Sequence, residues 1–443
     1  MHNGNPEESY ISAVLRQIQW KKARPVIQKE LEGHIEEHLR EVKNSGLDDT
    51  AAMEVSVKAM GDPLETGRRL DRLHRPRVDV LMLISVAILI AFPLALIIYS
   101  ITAQYSEPDY IQGLATTAIG FGIGIACVLA DIRRIIRIAS LPLVIGSLVG
   151  LLALYLVYML YLRNSPNHMT SFPNSIYSWF YTVLDCCLFV FLAGFSGLAA
   201  RTKRADTRAN ILAVATATVA TVLIFMMHKY NLVCTVFACF FMLLFSGADK
   251  KWKAVFSAVL VGVTVFICLE FLDDAAEANE ASHITSLFKT AMQHLKDLKL
   301  IGHTTPELIG IISTPASYIS SAFSQPFGFM LLHYGILPAL LPYAAISIMI
   351  WRMLRSLLHF HDRAGRTLAI GTAVYFVVWT VSMLLRDVLY RGALDLTMPF
   401  NPISGFDNAL YPGLLGLLFG LYRRRDLYSN VGESPAEKII PIQ

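Results

Sequence analysis

Apolar runs of about 20 residues, the length that crosses a bilayer, recur along this chain. They lie at about 80–102, 110–130, 141–161, 179–200, 210–227, 231–247, 254–272, 326–350, 367–385 and 406–422, which predicts about ten spans. The last is short and holds Asp407. One long polar interruption, Asp273 to Ser324, separates the seventh run from the eighth. It opens acidic, with Asp273, Asp274, Glu277 and Glu280. Then Ile284, Leu287, Phe288, Met292, Leu295 and Leu298 recur at spacings of three and four, while Lys289, Lys296 and Lys299 fall elsewhere. That period puts the apolar set on one face of a helix, lying on a bilayer surface or packed over the mouth of the bundle.

Before the first span the pattern is that of a small helical domain over residues 1–77. Asn5-Pro6-Glu7-Glu8 is a helix start. Ile27, Leu31, Ile35, Leu39 and Val42 line a second helix that stops near Gly46. Asp48 or Asp49 caps a third, carrying Ala52, Val55 and Ala59. Gly61-Asp62-Pro63 ends that helix and starts a fourth, with Glu65 completing a capping-box pattern. His34 and His38 have metal-ligand spacing, but no third ligand accompanies them, so the expectation is a solvated face.

Composition sets the class. The chain has 443 residues, of which 54% are hydrophobic and 16% charged, which fits a polytopic membrane protein and not a soluble domain. The polar first 77 residues predict no cleavable signal. The net charge of +4 is small, and its distribution is informative. Basic clusters follow alternate spans: Arg133, Arg134 and Arg137; Arg201, Lys203, Arg204 and Arg208; Lys250, Lys251 and Lys253; Arg352, Arg355, Arg363 and Arg366; and Arg423, Arg424 and Arg425. Cytoplasmic loops are the ones enriched in Lys and Arg. Both termini, including a tail at 426–443, are therefore expected inside and the 273–324 loop outside. Arg68, Arg69, Arg72, Arg75 and Arg77 lead into the first span and suit an anionic leaflet. No aromatic residues interleave with them, so nucleic acid is not an expected partner.

The candidate chemistry is sparse. Asp185 sits mid-span, where an ionisable group must face the bundle interior or a cavity. Glu270 lies at the end of span seven and can reach the interface. Gly120, Gly122 and Gly124 lie inside an apolar span, which suits close helix packing better than a nucleotide loop. His359 and His361 are two histidines without further ligands. All six cysteines lie in apolar spans, so neither disulfide nor metal site is expected, and no cofactor motif is present.

Two regions carry a resemblance. Glu30-Leu31-Glu32-Gly33-His34-Ile35, Met60-Gly61-Asp62-Pro63, Gly67, Leu70 and His74-Arg75-Pro76 resemble the HAAS or permease-prefix domain. The membrane part, residues 78–425, resembles the SEDS family of shape, division and sporulation proteins (RodA, FtsW, SpoVE). The likeness rests on the ten-span order with a large loop between spans seven and eight. It rests also on Gly335 followed by an apolar span and Arg352, on Met398-Pro399-Phe400 with Ser404-Gly405, and on the stretch from Gly413 to Arg425.

The resemblance implies an all-α polytopic protein of the bacterial plasma membrane. It implies peptidoglycan glycosyl transfer from a lipid-linked precursor at the outer face, with a transpeptidase or other division or elongation protein as partner. The family's acid falls at Ser324, and its paired glutamates fall at Leu332 and His333. The family's Gln-Pro-Asp-Leu-Gly signature is absent near span six, where His228-Lys229-Tyr230-Asn231-Leu232 stands. A serine hydroxyl with no base beside it in sequence cannot act as a carboxylate base. The reading divides between a retained polymerase, with Asp395 or Asp407 as substitute acid, and a pseudoenzyme that binds precursor or partner; the missing acid favours the second. Asp185, Met398, Pro399, Phe400, Ser404 and Gly405 are the candidate binding residues. The residues leave two other classes open: a transporter or lipid flippase, and a membrane-anchored signalling protein working through its head.

Overall fold

The computed structural model describes residues 6–21, 23–44, 47–75, 79–102, 110–130, 132–164, 174–202, 206–226, 231–259, 261–262, 265, 296, 298–302, 326–357, 363–389 and 410–423. Among them there is no strand. The chain forms two compact units, Met1–Val78 with Tyr422–Gln443, and Asp79–Leu421.

The first unit holds α1 (Pro6–Gln17), α2 (Arg24–Lys43), α3 (Asp49–Ala59) and α4 (Pro63–His74). Its core is Tyr10, Ile11, Val14, Ile18, Ala23, Ile27, Leu31 and Ile35, with Trp20, Met53, Val57 and Leu70 packed against it. Several positions of the Gly61–His74 stretch have a structural reason. Gly61 turns the chain at φ +80°, a conformation that suits glycine. Asp62 accepts the Glu65 N–H at 3.0 Å and so caps α4, with Pro63 in the first turn. A Cβ on Gly67 would lie 2.7 Å from the Gln17 side chain, so α1 and α4 approach closely here. Buried Asp71 accepts the Gln19 N–H at 2.8 Å and the Arg75 Nε–H at 3.0 Å. Tyr10 donates to the Met60 carbonyl at 2.9 Å, and burial raises its phenol pKa above the ordinary value. On α3 the inward face is Ala52 with Ser56, one turn apart, and not Ala52, Val55 and Ala59. Val55 and Ala59 are exposed, because Ala52 stands at one edge of the buried face: Met53, Ser56 and Val57 continue that face to one side of it, and Val55 and Ala59 fall to the other.

The second unit is a bundle of α5 (Val80–Thr102), α6 (Tyr110–Leu129), α7 (Ile132–Asn164), α8 (Asn174–Arg201), α9 (Thr207–Met226), α10 (Asn231–Leu244), α11 (250–259), α12 (Pro326–His333), α13 (Ile336–Leu357), α14 (Arg363–Leu389) and α15 (Leu410–Arg423). Five of these are long and apolar enough to cross a bilayer, and Val80–Ala91, Thr117–Leu129 and Val233–Leu244 are shorter apolar segments. The exposed side chains identify the solvent. On α7, Ile145, Val149, Leu152, Leu156, Val157 and Leu160 all face outward. Continuous apolar cover of this kind is stable against lipid and not against water. Only 17% of the α7 span is buried within the protein, against 67% for α8 and for α14, so those two are central and α7 peripheral. The protein is an all-helical, multi-pass membrane protein.

Two boundaries differ from the sequence pattern. Arg133, Arg134 and Arg137 lie inside α7, in a segment set off from the span by non-helical backbone at Ala139, three residues before Pro142. The eighth apolar run, expected at 326–350, is broken at Tyr334-Gly335 into α12 and α13.

Candidate functional site

The break at Gly335 organises one end of the bundle. Gly335 has φ +95°, and its N–H bonds back to the Met330 carbonyl at 3.0 Å, closing α12. Residues 298–302, where the expected helix of the long loop ends and the chain runs on, lie alongside this corner. The Lys299 and Leu300 carbonyls accept the Ile336 and Leu337 N–H groups, each at 3.0 Å. These are N–H groups that the first turn of α13 would otherwise leave unsatisfied. In return the Gly302 N–H donates to the Tyr334 carbonyl at 2.8 Å. A Cβ on Gly335 would stand 2.7 Å from the Lys299 oxygen. The left-handed backbone and the lack of room both require glycine here.

The helix order brings other helix ends to the same end of the bundle. α13 begins there, α14 returns and ends at Leu389, and α15 begins at Leu410. Ser324 is two residues before Pro326, and Asp407 three before Leu410; both lie outside the described residues, as do Asp395, Met398, Pro399, Phe400, Ser404 and Gly405. Tyr411 packs into an aromatic cluster with Tyr375, Phe376 and Trp379, at centroid separations of 6.3, 5.8 and 5.2 Å. All four rings are essentially inaccessible. No periodicity signal pointed to this cluster.

α15 is the innermost helix, buried from Leu410 to Leu418 and again at Gly420 and Leu421. Glycines let it sit there. A Cβ on Gly413 would touch the Phe189 ring at 2.9 Å, one on Gly420 the Cys127 carbonyl at 2.7 Å, and one on Gly416 would overlap the Gly124 backbone. A Cβ on Gly124 would in turn stand 2.5 Å from the Pro412 carbonyl oxygen. Of the glycine triplet in α6, Gly124 serves close packing, while Gly122 faces open space.

Asp185 lies in mid-α8 and is fully buried. It is one turn from Phe189, the residue that meets Gly413 of α15. α8 packs on α7, α9, α10 and α14, so Asp185 sits on one of the central helices of the bundle. On the α7 side, Gly194 and Gly197 close against Ser140, and Cys187 fills the space beside Gly150.

The opposite end carries an ion pair that the apolar pattern hides. Asp79, immediately before α5, is 4% exposed. Its Oδ1 accepts the Met82 N–H at 3.1 Å, capping α5, while its Oδ2 receives Arg352 Nε at 2.8 Å and Nη2 at 2.6 Å from the end of α13. An aspartate directly before an apolar run is a helix-start signal, and reading it so would have found this residue. The Thr202 carbonyl and Arg363 approach Gly247 at this same end. The loops after α8, after α10 and before α14 therefore share one side, the alternation that the basic clusters imply. Among the described residues no group of three or more His, Cys, Asp or Glu could hold a metal ion, and the five described cysteines are unbridged.

No protein-family profile matches the sequence, and no curated protein matches it. Solved structures do. The rod shape determining protein RodA of Thermus thermophilus superposes with TM-score 0.52 at 13% identity, over 78% of this chain and 97% of that one. A point mutant of the same protein superposes with TM-score 0.53 at 15% identity, over 78% and 98%. At this identity the likeness is one of fold, and it spans nearly the whole of the RodA chain.

Proposed function

We propose that this chain is a SEDS-like protein of the bacterial plasma membrane acting in peptidoglycan synthesis, cell shape, division or sporulation. It binds a lipid-linked precursor or a partner protein at the end of the bundle where α13 and α15 begin. The observation that carries this reading is the RodA-like fold over nearly that whole chain, taken with the Gly335, Met398-Pro399-Phe400 and Gly413–Arg425 resemblances. The head is a HAAS-type module, and a transpeptidase or another division or elongation protein is the expected partner.

Polymerase chemistry by the family mechanism is lost or weak, because Ser324 cannot accept a proton from a sugar hydroxyl as a carboxylate does. The test is the purified protein with lipid-linked precursor, read as glycan polymer. Wild type should give little product. Ser324→Asp should raise the rate by about 10²–10⁴-fold, the usual contribution of a general base. If wild type is active, Asp395→Asn or Asp407→Asn should remove that activity. Robust wild-type activity indifferent to both changes would overturn the pseudoenzyme and substitute-acid readings together.

Both termini are cytoplasmic in this proposal. Membrane-impermeant labelling of cysteines placed at 275–300 should succeed from outside only, and labelling from the cytoplasm alone would reverse the topology.

A second reading, a transporter or flippase, draws on Asp185, a fully buried carboxyl on a central helix. Lipid movement by reconstituted protein that Asp185→Asn abolishes would favour it.

A further inference from the structure

α4 presents two unlike faces. Gly67, Asp71 and His74 turn into the head, while Leu64, Arg68, Arg69, Arg72 and Leu73 turn out. The outward leucines are 49% and 53% exposed, unusual for residues that could have joined the core. They flank the three arginines, one on each side of the helix face. Together with Asp62 and Glu65 these residues form one open surface of α4. Among the described residues none of the three arginines forms an ion pair, whereas neighbouring Arg75 is held by Asp71. The two acids sit in the first turn, and Asp62 is engaged in capping. The arginines fill the middle and last turns, nearer in sequence to the first membrane span. The few residues from His74 to Val80 reach at most about 20 Å. The link from the end of α4 to the first span is therefore short enough for the arginines to reach the bilayer surface.

We propose that the outward face of α4 docks on anionic phospholipid headgroups of the leaflet in which α5 begins. Arg68, Arg69 and Arg72 engage phosphates, and Leu64 and Leu73 enter the boundary between headgroups and acyl chains. Guanidinium groups match phosphate oxygens in a two-point geometry. The apolar flanks give the face something to bury once it is held there. The inference needs only that α5 is a membrane span, and so stands apart from the reading of the catalytic end.

The test uses full-length protein in nanodiscs of phosphatidylcholine, with or without phosphatidylglycerol. A benzoylphenylalanine photocrosslinker replaces Leu73 or, as a control on another exposed position, Val55 of α3. Illumination should give a phospholipid adduct at position 73, strongly favoured by phosphatidylglycerol, and none at position 55. The triple change Arg68→Gln, Arg69→Gln, Arg72→Gln should lower docking by up to on the order of 10²-fold, about fivefold per lost cation. The corresponding triple change to lysine should keep most of the adduct. Equal adducts with and without phosphatidylglycerol, equal adducts at 55 and 73, or a peptide adduct in place of a lipid one would each overturn the proposal.

Discussion

Alanine at Asp79 should destabilise the membrane unit by about 3 kcal/mol or more, the cost of leaving a largely buried charge without its partner. Asp79 does two things with one carboxylate: Oδ1 satisfies the start of α5 and Oδ2 neutralises Arg352. Alanine removes a cap, worth about 1 kcal/mol by itself, and strands a guanidinium that is 24% exposed. The rise of thiol reactivity on heating in detergent would report the loss, because Cys234 and Cys239 are shielded in the folded bundle. Pairing Asp79→Leu with Arg352→Met should recover much of the stability, since a well-packed apolar pair can replace a buried ion pair at little cost. If Asp79→Ala unfolds like wild type, the pair is not holding α5 to α13.

Leucine at Gly416 should be more severe and should leave little folded protein in detergent. The Cβ direction of Gly416 runs into the Gly124 backbone, and backbone cannot turn aside as a flexible side chain can. Overpacking a core usually costs about 1–3 kcal/mol. Here α15 is enclosed along nearly its whole length, so relief would require moving a helix. Gly416→Ala should already be damaging. Gly122→Ala, where nothing lies within 4 Å, should be tolerated or mildly stabilising, since alanine is the better helix former. Comparing yields of monodisperse Gly416→Leu, Gly416→Ala and Gly122→Ala separates close packing from a general intolerance of side chains. Equal behaviour of all three would refute the seam between α6 and α15.

The span order was legible because hydropathy averages over 20 residues and lipid selects on that average. The same averaging hid the break at Tyr334-Gly335, where apolar residues stand on both sides and only a backbone angle changes. It also hid Asp79, a single polar residue at the edge of an apolar run. Head caps such as Asp62 were legible because capping is local chemistry, written within four residues. The inward face of α3 was misread because short helices offer few turns over which to fix a phase, and Ser56 turns inward by bonding the Ala52 carbonyl. The aromatic cluster of Tyr375, Phe376, Trp379 and Tyr411 joins two distant segments in a chain where aromatics are common, so no local pattern marks it. Asp185 was readable as interior because a carboxyl facing lipid is too costly. Ser324, Asp395, Asp407 and the Met398–Gly405 residues lie outside the described residues, so their candidacy rests on sequence.

The corner at Gly335 also has a topological consequence. Its hydrogen bonds tie residues 299, 300 and 302 to residues 334, 336 and 337, so they staple the middle of the long loop to the start of a span. In connectivity the loop is then two rings. One carries the acids Asp273 to Glu280, and the other, from 303 to 325, carries Ser324. Closing two shorter rings costs each less chain entropy than closing one long one. Insertions or charge changes in the acidic ring have no covalent route to Ser324 except through the staple.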